Sequence, residues 1–370
     1  MSLKILLTIL IGYFSNAVEL FDYNQSVRQL GMGGVYIFDE NDAGSLLNNP
    51  AYTCYTEGMN WTIFNIGVGI NGLQIYNDLT SIGTIDGIGS LTPLYGKNIW
   101  VGAGGHTTMT FPCFGFSGYD AGGAGFQLYN PPFPNMDMTY INDYAIMGGG
   151  AFKLGPILSM GLNVKRITRV GGTATVGAST LASATSSSLL NVFSNEGNGY
   201  GIDVGLAARF DSLPFNPTFS MMWKDAGSVQ FVKSKGSDSP DRLKDNMILA
   251  ATVEGSIPLL GFAAGIEYRH VTESGEQFGK KLHLGTELTV AMFDLRAGFY
   301  QGYTTYGVGV DLFLMQLNAA TYSVEKGAYP GQSEDARIQV SLDATLSFDP
   351  SFNLVGFGAA NKKRKLKQRR

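Results

Sequence analysis

GYGIDVGLAARF (199–210) is the stretch whose reading decides the fold. Successive side chains of an extended chain point to opposite faces. Tyr200, Ile202, Val204, Leu206, Ala208 and Phe210 therefore share one face, and Gly201, Asp203, Gly205 and Arg209 share the other. RIQVSLDATLSF (337–348) repeats the pattern: Ile338, Val340, Leu342, Ala344, Leu346 and Phe348 oppose Arg337, Gln339, Ser341, Asp343, Thr345 and Ser347. KLHLGTELTV (281–290), FDLRAGFY (293–300) and TYGVGVDLF (305–313) do the same. Each reads as a two-faced strand.

Most of these segments run about ten residues, the length a tilted strand needs to cross a bilayer. Fourteen can be marked, the first at 60–71 and the last at 337–348. With a periplasmic N-terminus, links after odd-numbered strands should be outer loops and links after even-numbered strands tight turns. The odd links 72–96, 171–198, 224–245, 272–279 and 326–336 are mostly long, and the even links Gly155, Asp211–Phe215, Ile257–Leu259 and Met292 are short. A soluble sandwich or a lipocalin-like barrel has no reason to sort its loops by parity. The expected fold is all-β, a transmembrane antiparallel barrel of about fourteen strands, because a closed sheet pairs every backbone group in lipid.

On that reading the apolar face meets lipid, and Asp203, Arg209, Glu287, Arg296, Asp311, Arg337 and Asp343 face the lumen. Val204→Arg should then impair insertion, while Gly205→Arg should be better tolerated in a watery interior.

The composition agrees. Only 15% of the 370 residues are charged, there are 49 glycines, and beyond the N-terminus no apolar run is long enough for a spanning helix. Residues 1–17 read as an export signal: Lys4, the apolar run 5–14, then small residues at Ser15–Ala17. The last ten residues, NKKRKLKQRR, hold seven basic side chains. With those and Lys4 set aside, 18 basic residues face 30 acids over 18–360, which argues against a nucleic-acid-binding body. Residues 349–370 are expected to be a basic periplasmic tail. Cys54 and Cys113 could pair in an oxidising compartment, but two cysteines define no framework.

Enzymatic motifs fail on inspection. GVGING (67–72) satisfies G-x-G-x-x-G but belongs to an alternating strand without a βαβ unit. DENDAG (39–44) half-resembles a calcium loop, yet Ala43 replaces a ligand and Pro50 stands where the bidentate Glu belongs. GFSG (115–118) lacks the nucleophile-elbow spacing. His106, His270 and His283 pair with no second histidine or cysteine at metal-ligand spacing, and read as wall or rim residues. No catalytic residue, metal or cofactor is expected.

Residues 18–58 precede the first strand, and their natural place is inside the lumen as a plug. Gly31, Gly33 and Gly34 permit tight turns, Asn48–Pro50 form another turn, and Asp39, Glu40 and Asp42 are expected to pair with wall arginines. VRQLGMGGVYIFDENDAGSLLNNPA (27–51) resembles the N-terminal signature of the FadL-type outer membrane barrels, a superfamily that includes TraF-like and PorV-like members. The resemblance implies fourteen strands, an N-terminal hatch containing Gly31, Met32, Gly33, Gly34, Asn49, Pro50 and Ala51, and carriage of hydrophobic substrates. Tyr52 stands where members usually carry glycine.

The expected function is passive uptake of hydrophobic small molecules, fatty-acid-like or aromatic. Leu189, Leu190, Val192 and Phe193 of loop 171–198 are the candidate apolar capture surface. The expected partners are outer membrane lipids and an apolar ligand, with homo-oligomerisation left open. Two other classes stay in view: a structural or lipid-enclosing oligomeric barrel, and a PorV-like secretion-partner barrel.

Overall fold

The computed structural model describes residues 25–71, 95–133, 135–177, 193–257, 260–312, 315–349 and 354–357. The signal segment 1–17, loop residues Leu189, Leu190 and Val192, and most of the tail lie outside the described residues.

The chain forms strands β1 (Met59–Asn71), β2 (Asn98–Phe111), β3 (Phe114–Tyr129), β4 (Asn135–Leu154), β5 (Leu158–Gly177), β6 (Glu196–Arg209) and β7 (Thr218–Lys224). A short β8 (Val232–Lys235) follows, then β9 (Asn246–Ile257), β10 (Leu260–Tyr268), β11 (Leu282–Val290), β12 (Phe293–Tyr300), β13 (Tyr303–Leu312), β14 (Met315–Glu325), β15 (Glu334–Phe348) and β16 (Leu354–Phe357). Each barrel strand pairs antiparallel with the next, β1 closes on β15, and β8 sits off the path against β6. Among the described residues the closed barrel therefore has fourteen strands, with β8 and β16 as appendages. Both appendages escaped the sequence reading, since four residues carry no period.

The faces follow the alternation. Tyr200 and Ile202 are exposed outside, while Asp203 and Arg209 are buried inside. The same holds for Ile338 and Val340 against Arg337, and for Leu284 and Leu288 against Glu287. An apolar exterior over a polar interior inverts a soluble protein and suits a barrel in lipid. The molecule is a closed transmembrane β-barrel.

Counted between strand ends, the even links 112–113, 155–157, 258–259, 291–292 and 313–314 hold only two or three residues, whereas 72–97, 178–195 and 225–245 are long; the even link 210–217, expected to be short, holds eight. Two outer links, 130–134 and 301–302, are short. β4 and β5 each run 20 residues, roughly 65 Å at ~3.3 Å per residue, so they project well past a bilayer core of about 30 Å.

Candidate functional site

Residues 25–58 lie within the barrel and contact its interior wall. Helix Val27–Gly31 begins with a capping box, in which the Ser26 side chain accepts from the Gln29 N–H and the Gln29 side chain accepts from the Ser26 N–H. Its Val27 and Leu30 pack with Tyr300, Ala320, Tyr322 and Val324 of β12 and β14. Helix Ser45–Asn48 and the 3-10 helix Pro50–Tyr55 then carry the segment down to the periplasmic turns. There Tyr52 stacks on Phe38 at 5.0 Å, and the Tyr55 hydroxyl donates to Ala207 O at 2.8 Å.

Glycine meets glycine along the upper contact. Gly31 and Gly307 of β13 approach so closely that a Cβ on either would stand 2.9 Å from the other's Cα. Gly33 adopts φ +65°, a conformation that favours glycine. Its N–H donates to Thr305 Oγ1 at 2.9 Å, and its carbonyl lies 2.8 Å from His283 Nδ1. Gly285 leaves room for the Met32 carbonyl, and Gly298 for the Gly33 nitrogen. Gly34 O accepts from the Arg269 guanidinium. Each of these wall glycines is a lumen-facing strand position, where any side chain would push the segment away.

Asn49, Pro50 and Ala51 make the lower contact. Asn49 Nδ2 donates to Leu206 O and Met221 O at 3.2 and 3.1 Å, and its Oδ1 accepts from Ala51 N at 3.0 Å. Ser159 Oγ donates to Ala51 O at 2.8 Å, and Gly161 and Gly205 vacate the space that Pro50 and Asn49 fill. This corrects the expectation of a watery lumen tolerant of arginine at Gly205. The residue faces inward as expected, but its space is occupied by the segment. A disulfide joins Cys54 to Cys113 and so ties the segment to the first periplasmic turn.

At Arg28 and Asp42 the pairing departs from expectation. The segment supplies the cation: Arg28 donates to both Glu287 oxygens at 2.9 and 2.8 Å. Glu287 also accepts from Arg296 at 2.7 Å, and Arg296 reaches Asn318 at 2.7 Å and Asp294 at 2.9 Å. Asn318 continues the chain to Asp343 at 3.3 Å. The segment's Asp42 accepts instead from Tyr36 Oη at 3.1 Å and from Gly44 N at 2.8 Å. Burial pushes the Asp42 carboxyl above its usual range, with Arg28 pulling the other way. A local turn can satisfy a carboxylate as well as a wall arginine can, which the one-letter code does not reveal.

The other expected lumen charges are placed as follows. Asp203 takes Lys165 at 2.8 Å, and Arg209 takes Asp211 and Glu254 while lying over the Phe38 ring at 5.1 Å. Asp311 shares its strand face with Thr305, Gly307 and Gly309. Arg337 pairs with Asp335 at 2.7 Å and stacks on Trp100 at 4.1 Å. Phe193 packs with Leu128, Met136, Met138 and Val176, edge-on to Tyr140, and does not line the cavity described next.

Above the segment, toward the long links, lies a vestibule of about 530 Å³. Val27, Leu30, Tyr300, Tyr322 and Trp100 give it apolar surface, and Gly102, Gly123 and Gly125 lie beneath the Trp100 indole. The sequence reading missed this cavity and the Trp100–Arg337 stack. The visible signal was glycine recurring on the inward face of β2 and β3.

No protein-family model and no curated protein matches the chain. Among solved structures, a deltaS2 mutant of the monoaromatic hydrocarbon channel TodX superposes at TM-score 0.51 and 12% identity, covering 89% of this chain and 100% of that one. The Ralstonia pickettii toluene transporter TbuX superposes at 0.50 and 11%, covering 91% and 100%. A Pseudomonas aeruginosa FadL homologue aligns at 0.46 and 11% over 88% and 99%. The fold is that of the TodX and TbuX channels.

Proposed function

We propose that the protein is a passive outer membrane channel for hydrophobic small molecules, fatty-acid-like or aromatic. Residues 1–17 are its export signal, 18–58 its hatch, 59–348 its barrel and 349–370 its periplasmic tail. The observation that carries the reading is the vestibule: about 530 Å³ with an aromatic lining, on the side of the long links and floored by the hatch. That size suits a small ligand, since such sites commonly enclose roughly 300–1,000 Å³. An apolar solute entering it gains about 25 cal/mol for each Å² removed from water. The hatch segment lies beneath it and stands in the way of a solute of that size, so such a solute must first be bound. TodX, a monoaromatic hydrocarbon channel, and TbuX, a toluene transporter, share this fold and carry the same class of ligand. No specific observation favours a lipid-enclosing or secretion-partner barrel.

The test is uptake of labelled toluene and decanoate by Gram-negative cells producing the protein. Uptake should rise for at least one of them and stay flat for glucose. Gly67→Phe should reverse the gain, because Gly67 lines the vestibule and a Cβ there meets Gln339 Nε2 at an ordinary 3.4 Å. No gain for either solute would overturn the proposal.

A further inference from the structure

Two cavities lie on one side of the hatch, against β1, β2, β14 and β15. The upper is the vestibule. The lower encloses about 110 Å³ and shares Ser26, Asn65 and His106 with it. Asn65 and His106 are cross-strand partners in the β1–β2 pair, just where its register slips after Thr62. His106 Nδ1 is held by Thr108 Oγ1 at 3.0 Å. The junction between the cavities is thus a defined pair of polar side chains.

The lower cavity is unlike the upper. Asp39 and Asp42 line it from the hatch, and Gln316, Asn318, Ser341 and Asp343 line it from the wall. The guanidinium of Arg28, which also borders it, is neutralised by Glu287 at 2.8 Å. Ser341 is 4% exposed, and among the described residues its Oγ has no hydrogen-bond partner. A buried hydroxyl without a protein partner is satisfied by water or by an ion. The volume admits about three or four waters at ~30 Å³ each. The foot of the cavity reaches Gln316, next to the first residue of β14, and Thr62, three residues into β1. Both are close to the periplasmic rim.

Such a slot offers nothing to an apolar solute and favours a small hydrated cation. We propose that a second conduit, for small monovalent cations, passes the hatch on this side, with Asn65 and His106 as its constriction. It is separate from the hydrophobic route, and either can fail without the other.

The experiment measures potassium and chloride efflux from proteoliposomes holding a known amount of heat-modifiable, full-length protein. Wild type should release potassium faster than chloride. His106→Gly should raise potassium efflux several-fold, His106→Trp should reduce it below wild type, and Asp343→Asn should erode the preference over chloride. Equal efflux of both ions, no efflux above empty vesicles, or identical rates for His106→Gly and His106→Trp would each overturn the conduit.

Discussion

Replacing Gly205 by alanine should release the lower end of the hatch while leaving the barrel intact. The new Cβ would collide with Asn49 Oδ1 and stand 3.0 Å from Pro50 Cδ. Asn49 would lose the position from which it makes three hydrogen bonds, to Leu206 O, Met221 O and Ala51 N. Two of these, to Leu206 O and Met221 O, cross to the wall; at a net of about 0.5–1.5 kcal/mol each, the loss is roughly 1–3 kcal/mol against docking. That is about five-fold to a hundred-fold in the ratio of docked to undocked hatch, at ~1.4 kcal/mol per decade. The β6 ladder itself is untouched, since Gly205 keeps its backbone pairs with Gly161 and Met222. The assay is planar-bilayer conductance, with heat-modifiable migration as the check on folding. Open events should become more frequent than in wild type, and more frequent again under reductant, because Cys54–Cys113 still tethers the hatch. Gly172→Ala is the control, since a Cβ there meets nothing within 4 Å. The reasoning is refuted if Gly205→Ala and Gly172→Ala conduct alike with and without reductant.

Other perturbations separate wall from hatch. Val204→Arg, on the lipid face, should impair insertion by roughly 2–4 kcal/mol if near midplane, read as reduced folded band in a vesicle-folding titration. Cys54→Ser should fold and insert, yet give a hatch cut faster by protease added from the periplasmic side; an unchanged cleavage rate would show the disulfide to be mechanically idle. Deleting 22–51 should leave a barrel that inserts and conducts ions far better than wild type, and unchanged conductance in inserted protein would remove the hatch from the mechanism.

The barrel was legible because lipid enforces period two on one face of every strand, and Tyr200–Phe210 shows it without a break. Strand count and loop sorting came from the same constraint. Inside, the constraint vanishes. A lumen residue such as Gly285 or Gly205 is chosen by the shape of the hatch across from it, a contact between positions far apart in the chain, 250 residues for Gly33 and His283. A glycine in a strand reads locally as weak propensity, and only the fold shows it as vacated space. Asp42 misled for a related reason. Sequence gives a charge but not its partner, and Asp42 found its own turn while Arg28 reached the wall. The vestibule escaped because no period marks a cavity.

The buried charges of the lumen are arranged so that undocking of the proposed hatch would orphan none of the wall groups that Arg28 meets. An ion pair taken out of water generally fails to offset its own desolvation cost, and losing one partner is damaging when the other stays dry. Glu287 avoids that fate, for it keeps Arg296 at 2.7 Å when Arg28 is gone. Arg296 in turn keeps Asp294 and Asn318. Removing the hatch also admits water to the lumen, so the groups it covered become solvated instead of orphaned. The wall network is complete on its own β-strands, and the hatch adds one arginine to it. Docking strength therefore rests on the backbone contacts at Gly31–Gly34 and Asn49–Ala51, where a single added methyl group acts, and not on the charges that drew attention in the sequence.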